Sequence, residues 1–145
     1  MRHHQPTLKE RRKSLAGVVR ARGHVIRKVI GDVINSRGRA REEQVLTALT
    51  RSDGVSFPPW FQGAERASDG DDARGIDVIV YSDVGKLFLQ VKGSPKAVQE
   101  FLKKHPKGNI VPFLVHDDEY IEGLRKRLVE ALNAERRRVL DLRKR

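Results

Sequence analysis

Four polar side chains stand where the surrounding pattern calls for apolar ones: Glu42, Asp77, Gln90 and Lys92. Three of them lie in the stretch Gly75 to Ser94, GIDVIVYSDVGKLFLQVKGS. Ile76, Val78 and Val80 alternate with Asp77 and Ile79, and Leu87, Leu89 and Val91 alternate with Phe88 and Gln90. Runs this rich in Val, Ile and Phe predict two strands, and Ser82-Asp83-Val84-Gly85 supplies the turn between them. Because side chains on a strand alternate faces, Gln90 and Lys92 share one, and an antiparallel partner brings Asp77 alongside. A buried carboxylate is costly unless paired or bound to a metal. Asp77, Gln90 and Lys92 together would make a small cation site with a lysine beside it. The alternative is a strand-end Asp77 in solvent and a surface Lys92.

Glu42 belongs to the element that must deliver it. A helix is expected from about Arg39 to Arg51, with Val45, Leu46 and Leu49 as its apolar face. Glu42 precedes these by three, four and seven residues and so shares their face. It is either an inward ligand or a first-turn glutamate favoured by the helix dipole.

The other elements follow from the same kind of reading. Leu15, Val18, Val19, Val25, Ile26, Val29 and Val33 predict a helix in the N-terminal third, broken near Gly23, with Arg11, Arg12 and Lys13 on a basic surface. His3-His4 belongs to a terminus expected to be irregular. Ser52 to Arg74 reads as a long connection, its Phe57-Pro58-Pro59-Trp60-Phe61 either a packed cover for the sheet or an aromatic wedge for a partner. Ser94-Pro95 starts a helix that buries Val98, Phe101 and Leu102 and ends at His105-Pro106. Asn109 to Val115 is a further strand, in which Pro112 requires an edge position or a bulge. A last helix, from about Asp118 to Leu142, has Tyr120, Ile121, Leu124, Leu128, Ala131, Leu132, Glu135, Val139 and Leu142 on one face. The fold class is α/β, a small mixed sheet flanked by helices, with basic helices at both ends. Three parts are expected: residues 1–37 as a basic helical extension, 38–117 as the core, and 118–145 as the C-terminal helix.

The chain has 145 residues and a net charge of +11. Residues 1–41 hold 12 Lys or Arg against two acids, residues 42–124 nine against 14, and residues 125–145 nine against three. Basic wings suit a polyanion such as nucleic acid, and an acidic centre suits cation ligation. Without cysteine, disulfides and thiolate metal sites are excluded. No run of 18 apolar residues predicts a membrane span, and no apolar leader region is visible. A cytoplasmic protein is the expectation. Apolar stripes on the terminal helices that a small core would not cover make a homodimer the expected assembly.

The ordered set Gly38-x-x-x-Glu42-x-x-Val45-Leu46-x-x-Leu49, then Gly75-Ile76-Asp77, then Leu89-Gln90-Val91-Lys92 resembles the PD-(D/E)XK nuclease superfamily, in particular its Holliday-junction-resolvase-like members. The resemblance covers roughly residues 38–115. It implies a restriction-endonuclease-like fold and a metal-dependent endonuclease acting on DNA, branched DNA included. It further implies Asp77 as central ligand for Mg²⁺ or Mn²⁺, with Glu42 assisting directly or through water. The Val91 carbonyl and Gln90 would be further ligands, and Lys92 would steady the developing charge. Arg37, Arg39 and Arg41, with Arg11, Arg12, Lys13, Arg136, Arg137 and Arg138, are the expected phosphate contacts. Two departures stand out. Gln90 occupies a place where the family commonly has a carboxylate, and Ile76 stands where it commonly has proline. The alternative is a catalytically inactive nuclease-fold protein that binds nucleic acid or serves assembly.

Overall fold

The order of elements is α1 (37–50), β1 (Phe61–Arg66), α2 (Asp69–Asp72), β2 (Val78–Ser82), β3 (Gly85–Lys92), α3 (Pro95–Lys104), β4 (Ile110–Leu114) and α4 (Ile121–Arg143). The structure is a computed structural model that describes residues 37–51 and 56–145. The expected N-terminal helix, His3-His4, and Arg11, Arg12 and Lys13 lie outside the described residues.

The strands form one mixed sheet in the order β1-β2-β3-β4. The first three are antiparallel neighbours, and β4 runs parallel to β3 after the α3 crossover. Alternation divides the sheet into two faces. Val78, Val80, Leu87 and Leu89 pack with Val45, Ala48 and Leu49 of α1 and with Leu124, Leu128 and Leu132 of α4. Ile79 joins Ile76, Phe101 of α3 and Ile110 on the other face. The α/β class, the mixed sheet and the flanking helices expected from sequence are all present.

The hairpin turns at Asp83-Val84. Gly85 follows with φ +105°, a conformation that L side chains resist, and the Ser82 hydroxyl donates to the Gly85 carbonyl at 2.7 Å. Ser94 caps α3 by accepting from the Ala97 N–H at 3.2 Å, with Pro95 in the first turn. Leu102, expected inside, is 48 % exposed. In β4 the Val115 N–H donates to the Lys92 carbonyl. By alternation the nitrogens of Phe113 and Val111 also face β3, and that of Pro112 faces away from it. The missing donor therefore falls on the outer edge of the sheet, where no ladder bond is lost.

Two expectations change. The connection between α1 and β2 contains β1, a strand of Phe-Gln-Gly-Ala-Glu-Arg with a register shift between Phe61 and Gly63. One large apolar residue and an internal glycine give this segment little strand preference of its own. It is a strand because β2 otherwise presents an open edge. Trp60 and Phe61 pack on the core, and Phe57 stacks on Phe61 at 4.6 Å between ring centroids, so the aromatic stretch is a cover. In α4, Leu124, Leu128 and Leu132 are fully buried against the sheet, while Tyr120 and Leu142, expected on the same face, are exposed. The middle of the α4 stripe is thus covered by this chain's own core. No helix among the described residues is long and apolar enough to cross a membrane.

One buried cation fixes α1. The Arg125 side chain of α4 donates to the carbonyls of Ala48 at 2.7 Å and Arg51 at 3.0 Å, and its guanidinium lies 5.6 Å from the Phe57 ring centroid. The last carbonyls of a helix lack partners within it, and a cation there also suits the helix dipole. Arg125→Met keeps the stem and removes both bonds. It is expected to lower stability by about 2–4 kcal/mol in a urea titration. Arg136→Met, which breaks an exposed pair with Asp83, is expected to leave the midpoint nearly unchanged.

Candidate functional site

Asp77 sits one residue ahead of β2, pinned on both sides by its main chain. Its N–H donates to the Leu89 carbonyl at 2.8 Å, and its carbonyl accepts from the Ala67 N–H at 2.9 Å. It is only 6 % exposed. Its carboxylate accepts the Val91 N–H at 2.7 Å. That donor lies on β3 beyond the start of β2, so the side chain takes the place of a neighbouring strand. A carboxylate bonded to an in-plane ladder donor lies near the plane of the sheet, at the opening where β2 begins.

Glu42 arrives from α1, with its side chain 23 % exposed and 3.9 Å from the Arg66 guanidinium. The same guanidinium pairs with Glu43. Burial raises the Glu42 carboxyl above its ordinary value; Arg66 opposes this and Asp72 adds to it. Burial likewise dominates at Asp77. The Val91 N–H opposes the shift, Glu42 and Asp72 reinforce it, and the carboxyl is pushed up to about 7. The charges acting most strongly on this buried acid are therefore themselves acidic. Asp72 is the last residue of α2 and is exposed.

Gln90 and Lys92 face α3. They line an open cavity of about 250 Å³ with Gly75, Phe101, Lys104 and His105, among others. The Lys92 ammonium lies 5.4 Å from the Phe101 ring centroid, and His105 stacks on the same ring at 4.3 Å. The Gln90 side-chain oxygen is buried without a hydrogen-bond partner among the described residues. Counting back from the Val78–Leu89 pair, Gln90 stands opposite Asp77. The sequence-derived set is thus drawn to one end of the hairpin but in two parts. Asp77 has Glu42 and Asp72 for neighbours; Gln90 and Lys92 open on the α3 side.

Val91 presents both its main-chain groups to the Asp77 side, since N–H and C=O of one strand residue leave in the same direction. The oxygens available here are hard donors, the kind Mg²⁺ and Mn²⁺ prefer. Among the described residues, no three Asp, Glu or His side chains converge closely enough to hold a metal by themselves. Any cation here would need neutral oxygens as well, and Gln90 Oε1 is a buried one without a partner.

The arginines expected to contact phosphate have different surroundings. Arg37 and Arg39 are exposed at the start of α1 and Arg137 is exposed on α4. Arg41 is half-buried, 3.4 Å from Asp117 and packed against Gly93, where a Cβ would stand 2.7 Å from its Nε. Arg136 holds both oxygens of Asp83, and Arg138 both oxygens of Glu135. Sequence reading did not single out Arg66 or Arg125.

No protein-family model, curated protein or solved structure matches this chain.

A raised carboxyl makes a pH prediction with a definite sign. Between its unfolded value near 3.9 and about 7, the native chain holds a proton at Asp77 that the unfolded chain has lost. Stability from this group is complete below the lower value and falls as pH rises through the upper one. In metal-free buffer, Asp77→Asn is expected to flatten this decline and to gain stability relative to wild type at pH 8. Urea midpoints for both proteins across pH 4–8 measure it; parallel curves would contradict the assignment.

Proposed function

We propose that this chain is a metal-dependent endonuclease of the PD-(D/E)XK type, hydrolysing phosphodiester bonds of DNA. One observation carries the reading: Asp77 is a buried carboxylate, its carboxyl pushed upward by burial and by the acidic Glu42 and Asp72, at the start of a hairpin whose second strand bears Gln90 and Lys92. A group so placed gains from a cation. The succession of helix, hairpin, helix and parallel strand is also the order in which the resemblance places its motifs, with β1 added ahead of the hairpin.

Asp77 would hold Mg²⁺ or Mn²⁺ with the Val91 carbonyl and Gln90 Oε1, and Glu42 would act on it through water. When bound, such a cation polarises a phosphodiester and lowers the pKa of coordinated water. The residues of the chain do the rest. Asp77 and Glu42 fix the position of the attacking water, and Asp77 accepts its hydrogen bond. Lys92, whose ammonium lies over Phe101, would supply positive charge to the phosphate oxygens as negative charge gathers there. Arg37, Arg39 and Arg137 are exposed, where they would neutralise flanking phosphates. Gln90 favours a second reading, a nuclease-fold protein that binds nucleic acid without cutting it, because an amide contributes a donor oxygen but no charge.

The assay is cleavage of supercoiled plasmid, single-stranded DNA and a four-way junction with Mg²⁺ or Mn²⁺. Cutting is expected to need the metal and to fall by about 10²–10³-fold in Asp77→Ala and in Lys92→Ala. Cleavage that survives both changes would remove the site; binding without cleavage in any metal would leave the second reading.

The arginine surroundings give a separate test. Arg137→Gln is expected to reduce the slope of log affinity against log salt by about 1. Arg138→Gln is expected to leave it unaltered, because Glu135 already engages that guanidinium. A slope for Arg137→Gln equal to that of the unaltered protein would exclude Arg137 as a phosphate contact.

A further inference from the structure

The cavity on the α3 side of the sheet has a chemistry of its own. It measures about 250 Å³ and is walled by Lys92 from the end of β3 and by Glu100, Phe101, Lys104 and His105 from α3 and its cap. Two ammonium groups and an imidazole thus face one carboxylate, that of Glu100, which is exposed. Every ion pair among the described residues uses arginine as its cation. The two lysines of the cavity are therefore not committed to carboxylates there.

Phe101, itself buried, is the common support. The His105 ring stacks on it at 4.3 Å between centroids, with the planes 22° apart, and the Lys92 ammonium stands 5.4 Å from the same centroid. The main chain holds His105 as well. Its N–H donates to the Phe101 carbonyl at 3.0 Å, and its carbonyl accepts from the Gly108 N–H at 3.4 Å. Gly75 closes the other side. It has φ +87°, and a Cβ there would stand 3.4 Å from both Cε1 and Nε2 of His105. The imidazole edge that carries Nε2 is thus beside the Gly75 main chain, two residues ahead of Asp77. Lysines in the last turn of a helix also suit its dipole, and that would account for Lys103 and Lys104 as a pair. It does not account for Lys92, which comes from the sheet, or for a histidine ring folded onto the same phenylalanine.

Such a set of donors fits a phosphate group. Each ammonium offers three N–H groups and an imidazole offers one more, and bonds of this kind to an anionic oxygen are the strong ones. A divalent cation would meet like charge in this wall, and an apolar ligand would leave the ammonium groups without acceptors. We propose that this cavity is a phosphate pocket shared by Lys92, Lys104 and His105, and that it seats a backbone phosphate of bound nucleic acid. This rests on the nucleic-acid reading above for the source of the phosphate, and on neither the metal nor the cleavage. Lys104 and His105 are then binding residues that orient a strand past Asp77 and take no part in breaking a bond.

Nuclear magnetic resonance of the isotope-labelled full chain in metal-free buffer tests the assignment, with inorganic phosphate and a single-stranded oligonucleotide as the two probes. Both are expected to shift the ring signals of His105, which His105→Gln identifies, and the amide signal of Gly75. Lys104→Gln is expected to weaken phosphate binding by about fivefold. It is also expected to lower the slope of log oligonucleotide affinity against log salt by about 1. Lys86→Gln, at the far end of the hairpin, is expected to match the unaltered protein in both. Circular dichroism confirms that each variant folds. No shift at His105 with either probe would overturn the pocket, as would an equal loss in Lys86→Gln. A response to phosphate but not to the oligonucleotide would overturn nucleic acid as its source. Metal-dependent cleavage with His105 unresponsive would overturn the pocket and leave the nuclease reading standing. A responsive His105 without cleavage in any metal would support the pocket and count against the nuclease reading.

Discussion

The hydrogen bond from the Val91 N–H to the Asp77 carboxylate is the constraint on which the site depends. A strand donor left without a partner in the interior is unfavourable, and a carboxylate left without one is more so. Here each satisfies the other. The bond holds an acid where an acid is costly, at the point where β2 has not yet begun and β3 still continues. It leaves the other carboxylate oxygen without a donor from the protein among the described residues. The acidic neighbours at Glu42 and Asp72 then make protonation or cation binding the two ways to relieve the cluster.

Polar contacts add to the core in positioning the elements around it. Val45 and Leu49 seat α1 on the sheet, and Arg125 ties its last carbonyls to α4. Arg66 of β1 reaches both Glu42 and Glu43, so the edge strand and the helix are joined across the mouth of the site. At the far end of the hairpin, Arg136 grips Asp83 and Arg143 donates to the Val84 carbonyl. Arginine thus acts as a strut at both ends of the sheet, where its planar group can take two acceptors at once.

Much of this was legible in the sequence because it rests on local rules. Alternation placed the β2–β3 hairpin, Ser94-Pro95 placed the start of α3, and Pro112 placed β4 on an edge. The spacing of Leu124, Leu128 and Leu132 placed the buried face of α4. What was not legible depends on partners distant in the chain. Phe61 to Arg66 has no strand pattern and becomes one through β2. Arg125 reads as one more basic residue until the end of α1 is set above it. The direction of Lys92, towards Phe101, follows from which face α3 covers. Alternation did put Gln90 and Lys92 together, but it could not say that Asp77, one residue before its strand, would leave that face and turn along the plane of the sheet.

The outward nitrogen of Pro112 has a consequence beyond β4. An edge strand with regularly spaced free donors is a template on which another chain can continue the sheet. On this edge the central residue has no donor to give. At the opposite edge, the irregular register between Phe61 and Gly63 breaks the spacing in β1. Both borders therefore discourage strand-by-strand growth, and the four-stranded sheet is self-limiting. Among the described residues, both borders thus favour contact through side chains and helix surfaces over extension of the ladder.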